Sequence, residues 1–177
     1  MIAPRLAEDL LRPLKKIGRV YLGGLDVARY AQLVPQADLH PNVGQQPSTT
    51  TNALLRRLTP DSARALLKVI GHRSQPFVQV RAIGGAVNDV DRAATAYAHR
   101  DAQVLVTVSI FPPYTGNDLD DAARPLWPHA VGAYRNFESR PSEESFTRAF
   151  PGATGERVRL LAARYDPDGV LRRVDRV

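Results

Sequence analysis

Four pairs of side chains in this sequence recur at a spacing of two: Gln79 and Arg81 in FVQVRAI, Tyr97 and His99 in TAYAHRD, Thr107 and Ser109 in VLVTVSIF, and Tyr134 and Asn136 in GAYRNF. Successive side chains along a strand point to opposite faces, so residues two apart share one. If the segments are neighbours, these pairs form one wall of amide, guanidinium, hydroxyl, phenol and imidazole groups. Such a wall can hydrogen-bond a hydroxylated small molecule. A solvent-facing sheet has the same pattern, and residue types alone leave the two readings open.

Other chemistries have weaker signals. His40, His72, His99 and His129 include no pair at helical or short metal-ligand spacing, and the chain has no cysteine, so no metal site is expected. Asp118, Asp120 and Asp121 read as a helix N-terminus, where acidic residues complement the dipole. Gly84 and Gly85 follow a strand, but no GxGxxG or GxxxxGK continues from them. Two such glycines more simply permit a bend or the close approach of another backbone.

At 177 residues, with 44% hydrophobic and 24% charged residues, the chain suits one sizeable core. The net charge of +6 and pI near 10.1 raise the possibility of an anionic partner. The excess is carried by arginine, with lysine only at 15, 16 and 68, and such a skew is equally a property of genome composition. No nucleic-acid partner is expected. No apolar run approaches the roughly 20 residues that span a bilayer, so no membrane partner is expected and a cytoplasmic location follows by default.

The elements that must position the wall are read from periodicity. Leu6, Leu10, Leu14 and Ile17 predict a helix ending at Gly18, kinked or started near Pro13; Asp26 to Val34 predicts a second. Thr59 caps a third, with Pro60 at its first position and Ala63, Leu66, Leu67 and Ile70 as its apolar stripe. Asn117 is the expected cap of a helix leading to Leu126 and Trp127. A last helix runs from about Glu156 to Tyr165, with Val158, Leu161, Ala162 and Tyr165 as its stripe. Residues 77–83 and 104–111 predict half-buried strands, and GAYRNF a third short one. QQPSTTTN reads as either a threonine-rich strand or a loop. Strands interleaved with helices, without a Gly-rich strand-to-helix turn, predict α+β: an antiparallel sheet with helices on one face, plus C-terminal helices.

The order FVQVRAIGGAV, ATAYAHRDA before an apolar strand, LW, GAYRNF and ERVRLLAARYDPDG resembles the C-terminal half of berberine bridge enzyme-like FAD-linked oxidases, from about Leu10 to Arg172. The resemblance implies that 1–137 is a partial substrate-binding domain and that 138–177 returns to a flavin domain absent here. It implies an oxidoreductase component that oxidises a hydroxyl or C–H substrate by hydride transfer to FAD in the complete enzyme, held weakly or not at all by this chain alone. By matching position, Tyr134 is the catalytic candidate, Tyr134 and Asn136 lie beside the cofactor, and Gln79, Arg81, Tyr97, His99 and Thr107 contact substrate. Arg81 stands where oligosaccharide oxidases carry a carboxylate, and a guanidinium cannot serve as a base at neutral pH. The implied partners are a small-molecule substrate and a separate flavin-binding domain or a homo-oligomer. The alternative is a non-catalytic small-molecule binding or interaction module.

Overall fold

The computed structural model describes residues 4–17, 29 and 47–170. Two compact units, Met1–Gln45 and Gln46–Val177, are distinguished. In the first, α1 (Pro4–Leu11) passes into a 3₁₀ turn at Arg12–Lys16. The α geometry therefore ends earlier than the Leu6 to Ile17 spacing predicts, because Pro13 has no N–H to continue the ladder. The helix expected from Asp26 to Val34 lies outside the described residues.

The second unit is built on three antiparallel strands, β1 (Thr49–Leu55), β2 (Phe77–Ala82) and β3 (Val104–Ile110), in the order β1-β3-β2. With its helices this is an α+β fold. TTTN is thus strand, and its threonines are stiff at Cβ in the way a pleated surface favours. Ala53 faces Val106, which faces Val80; Asn52 faces Thr107, which faces Gln79. The first row and its period-two companions point at the helices, and the second row points away from them.

The helix-covered face holds the larger core. Ala53, Leu55, Val106, Val108 and Ile110 meet Ala65 and Val69 of α2 (Pro60–Ile70), Leu119 and Ala123 of α3 (Asp118–Ala123), and Leu126 in the 3₁₀ turn Arg124–His129. Helix α2 begins as its sequence predicts: Thr59 Oγ1 accepts from Ser62 N, Ser62 Oγ accepts from Thr59 N, and Pro60 occupies the first helical position. Its buried face is Ser62, Ala65 and Val69 rather than the expected stripe, and Leu67 and Ile70 point outward. Leu66 and Leu67 are adjacent, so either can anchor a 3.6-residue pattern; contact with the sheet selects Leu66.

Asn117 stands at the N-cap position of α3 as expected but makes no side-chain cap bond; Asp118, the first helical residue, accepts at Oδ2 from Thr115 N in the preceding turn at 2.7 Å. Past Gly132 the expected strand in GAYRNF is a single antiparallel bridge, Leu54 to Gly132, followed by a 3₁₀ turn at Arg135–Phe137. This segment covers the outer edge of β1: Leu54 N donates to Gly132 O at 2.9 Å, Val131 N to Leu54 O at 2.8 Å, and Ser139 N to Thr50 O at 3.0 Å. The chain closes with α4 (Glu143–Ala149), capped by Ser142, and α5 (Ala153–Tyr165), which starts three residues before Glu156. Leu160, Leu161 and Tyr165 of α5 are exposed. Among the described residues no helix is long and apolar enough to cross a membrane.

Candidate functional site

The face of the sheet away from α2 and α3 carries three rows: Phe77, Ser109 and Thr50; Gln79, Thr107 and Asn52; and Arg81, Leu105 and Leu54. The third row opens into a cavity of about 640 Å³ lined by Leu54 and Leu105, by Ile83, Gly84, Gly85 and Val87 after β2, and by the rings of Tyr97 and Tyr134. Gly84 has φ +129°, a conformation that L side chains rarely adopt, and this lets the chain turn off β2 along the cavity rim. A mostly apolar hollow with a few convergent polar groups at its edge is the usual form of a small-molecule site.

Beside the cavity, on the adjoining part of the same face, lie residues that the sequence pairs at a spacing of two. Arg81 Nη2 donates to Gln79 Oε1 at 2.7 Å, and Arg81 Nη1 donates to Thr107 Oγ1 at 3.2 Å. Thr107 is buried and passes its own proton to Gln79 O at 3.5 Å, so it braces Gln79 and Arg81 from beneath. The Arg81 guanidinium lies 4.7 Å from the centroid of the Phe137 ring. Phe137 packs edge-on to Tyr134 at 5.6 Å, and Tyr134 edge-on to Tyr97 at 5.9 Å. The turn, not a strand, brings Asn136 to Tyr134: Asn136 Nδ2 donates to Tyr134 Oη at 3.1 Å, leaving the phenolic O–H to donate elsewhere.

Tyr134 is held by a residue that nothing in its own segment predicts. Asn52, fully buried on β1, accepts from Tyr134 N at 2.6 Å and donates to Tyr134 O at 3.0 Å. One side-chain amide thus satisfies both backbone groups where the chain leaves the bridge for the turn. Arg148 of α4 donates to Asn52 O at 2.5 Å while its guanidinium sits 4.1 Å from the Trp127 ring centroid. Period-two alternation in TTTNALL places Asn52 on the face of Leu54, but its partner is 82 residues away.

His99 lies behind the wall and supports it. Its Nε2 is 3.0 Å from Arg148 O and 3.2 Å from Ala149 O. Carbonyl oxygens only accept, so Nε2 carries the proton. The ring packs edge-on to Tyr97 at 6.0 Å and lies flush against Gly132, where a Cβ would fall 2.0 Å from His99 Cε1. His99 thereby ties α4 to the two tyrosines, while its own nitrogen is committed to backbone.

Burial pushes the His99 pKa below its ordinary value of 6.5, outweighing its bonds to the two carbonyls. Between the depressed folded value and 6.5 the unfolded chain binds one more proton. The stability from His99 is therefore complete above pH 6.5 and is lost as pH falls through that window. Urea unfolding at pH 7, 6 and 5 should show a steeper loss in the native chain than in His99→Gln; parallel losses would contradict the neutral, buried ring. Burial likewise raises the Tyr97 pKa, more than Arg100 lowers it, so Tyr97 is neutral at pH 7.

No protein-family model and no curated protein matches the chain. Its fold recurs in solved structures. A glycopeptide hexose oxidase, crystallised with teicoplanin, matches 69% of this chain and 30% of its own at 25% identity, with a TM-score of 0.52. Aclacinomycin oxidoreductase matches 94% of this chain and 40% of its own at 21% identity, with a TM-score of 0.61. Glucooligosaccharide oxidase from Acremonium strictum, which carries a 6-S-cysteinyl, 8α-N1-histidyl FAD, matches 93% and 41% at 18% identity, with a TM-score of 0.60. The chain has an oxidase-type fold and spans less than half the length of each of these proteins.

Proposed function

We propose that this chain supplies the substrate side of an FAD-linked oxidoreductase, with 1–137 a partial substrate-binding domain and 138–177 a segment that returns to a flavin domain. The observation that carries the reading is the cavity between Tyr97 and Tyr134, with Arg81 beside its floor residue Leu105, Gln79 bonded to Arg81 and Asn136 bonded to Tyr134 Oη, on a sheet of oxidase-type fold. Exposed Leu160, Leu161 and Tyr165 on α5 give the returning segment an apolar face to dock.

The site fits one end of the cofactor. An isoalloxazine ring is flat, apolar at its dimethylbenzene end and hydrogen-bonding at its pyrimidine end, and the hollow offers the rings of Tyr97 and Tyr134, with Asn136 bonded to Tyr134 Oη. The pyrophosphate has no Gly-rich strand-to-helix cradle among the described residues, so that end belongs to the flavin domain. When bound, FAD would supply a two-electron acceptor for a hydride from a carbon bearing a hydroxyl. This chain's own part is to hold the substrate hydroxyls against Gln79 and Arg81, to keep water from the apolar floor of Leu54 and Leu105, and to orient the reacting hydroxyl by a hydrogen bond to Tyr134 Oη.

A second reading is a binding module without chemistry. It is favoured by Arg81, a cation that accepts no proton, on the row that borders the cavity. Both readings place a small hydroxylated ligand on this face, but only the first predicts flavin there. In ¹⁵N-labelled chain, millimolar riboflavin 5′-phosphate should shift the amide resonances of Leu54, Leu105, Tyr134 and Asn136 as one group. Shifts that are absent, or scattered over the helices, would overturn the flavin reading and leave the binding module.

A further inference from the structure

Among the arginines of the described surface, Arg56, Arg64, Arg73, Arg92, Arg124, Arg140 and Arg159 each pair with a carboxylate. Arg81, like Arg100 and Arg148, has neutral partners instead. Both of its side-chain hydrogen bonds go to neutral oxygens, Gln79 Oε1 and Thr107 Oγ1, which fix its direction without cancelling its charge. Phe137 holds the guanidinium from one side at 4.7 Å. A guanidinium has five N–H donors, so those two bonds leave three. The side chain is half-exposed, and it shares its row with Leu105 and Leu54, two residues of the cavity floor.

We propose that Arg81 makes the cavity a site for an acidic ligand, a hydroxylated molecule of sugar-like size whose carboxylate lies across the free edge of the guanidinium. This rests on the reading of the cavity as a substrate site, and it adds the charge of the substrate to that reading. The argument is one of preorganisation. Gln79, Thr107 and Phe137 hold the fork in place, so little rotamer entropy is lost when it closes on a carboxylate, which is the planar partner matched to it. A neutral sugar on the same wall leaves the charge without a partner and gains only ordinary hydrogen bonds. Bonds to a charged group are worth roughly twice those between neutral ones.

The test uses D-glucuronate and D-glucose, which differ only in the oxidation state of C6, titrated to tens of millimolar into the ¹⁵N-labelled chain at pH 7. Glucuronate should bind about tenfold more tightly than glucose, shifting the Arg81 side-chain Nε–H together with the Leu105 and Tyr134 amides. Arg81→Gln should bring the two affinities together, and Arg81→Lys, which keeps the charge but loses the fork, should retain part of the preference. Equal affinities in the native chain, or a preference that survives Arg81→Gln, would overturn the assignment to Arg81 while the cavity stands as a ligand site. No shift on this face with either sugar would overturn both.

Discussion

Replacing Asn52 by leucine should lower the unfolding free energy by about 3 kcal/mol, from two buried backbone groups left unpaired at roughly 1–3 kcal/mol each. The branched heavy-atom skeleton is kept but the hydrogen bonds are lost: Tyr134 N and Tyr134 O would face bulkier methyl groups in place of the amide that now serves both. Urea unfolding measures the loss. The effect should also reach the site, because Tyr134 forms one wall of the cavity and its backbone is fixed at this point. Asn52→Asp separates the two bonds. It keeps the acceptor for Tyr134 N but sets a carboxylate oxygen against Tyr134 O, so its deficit should shrink as pH falls and the buried carboxyl takes up a proton. A Leu variant as stable as the native chain would mean that the clamp does not hold Tyr134.

Gly132→Ala should be at least as damaging, and for a steric reason. The added Cβ would lie 2.0 Å from His99 Cε1 and 2.5 Å from both ring nitrogens. The ring cannot swing aside, since Nε2 is bonded to Arg148 O and Ala149 O and the opposite edge meets Tyr97. Backbone displacement is no easier, because Gly132 is bridged to Leu54. Overpacking of this kind costs about 3 kcal/mol, which in a chain of this size lowers the melting temperature by roughly 6–12 °C. The mechanism predicts strong coupling. In a His99→Ala background the Gly132→Ala penalty should largely vanish, because the space the methyl needs is then open. Additive losses in the double variant would show that the close approach is not what requires glycine.

The strands of the sheet were the most legible part of the sequence. In FVQVRAI and VLVTVSIF the alternation of apolar and polar residues assigns Gln79, Arg81, Thr107 and Ser109 to one face, and the pairing confirms that assignment. The polar face of β3 is not fully open to water, however; Thr107 is buried and receives a hydrogen bond from the Arg81 side chain. Thr59 was equally clear, because a cap is a local device and its four residues contain the whole interaction. GAYRNF misled because Tyr134, in extended backbone, and Asn136, inside the 3₁₀ turn that follows, meet through a side-chain hydrogen bond, and so short an alternation cannot distinguish that from a strand. The Asn52 clamp and the His99 contact with Gly132 were hidden for another reason. Each joins segments far apart in the chain, and neither leaves a mark in the local pattern. Helix α5 shows the same limit, as its expected stripe of Val158, Leu161, Ala162 and Tyr165 buries little within this unit.

The most direct test of the proposal that this face meets a flavin is photolabelling. Irradiation of the chain with an 8-azido derivative of riboflavin 5′-phosphate, followed by mass spectrometry of the peptides, captures weak complexes through a covalent bond. Label concentrated on Tyr97, on Gly84 and Gly85, and on Tyr134 to Phe137, and reduced by Asn52→Leu, is the predicted result. Label spread along α2 and α3, or indifferent to Asn52→Leu, would contradict the assignment of this face to the cofactor and its substrate.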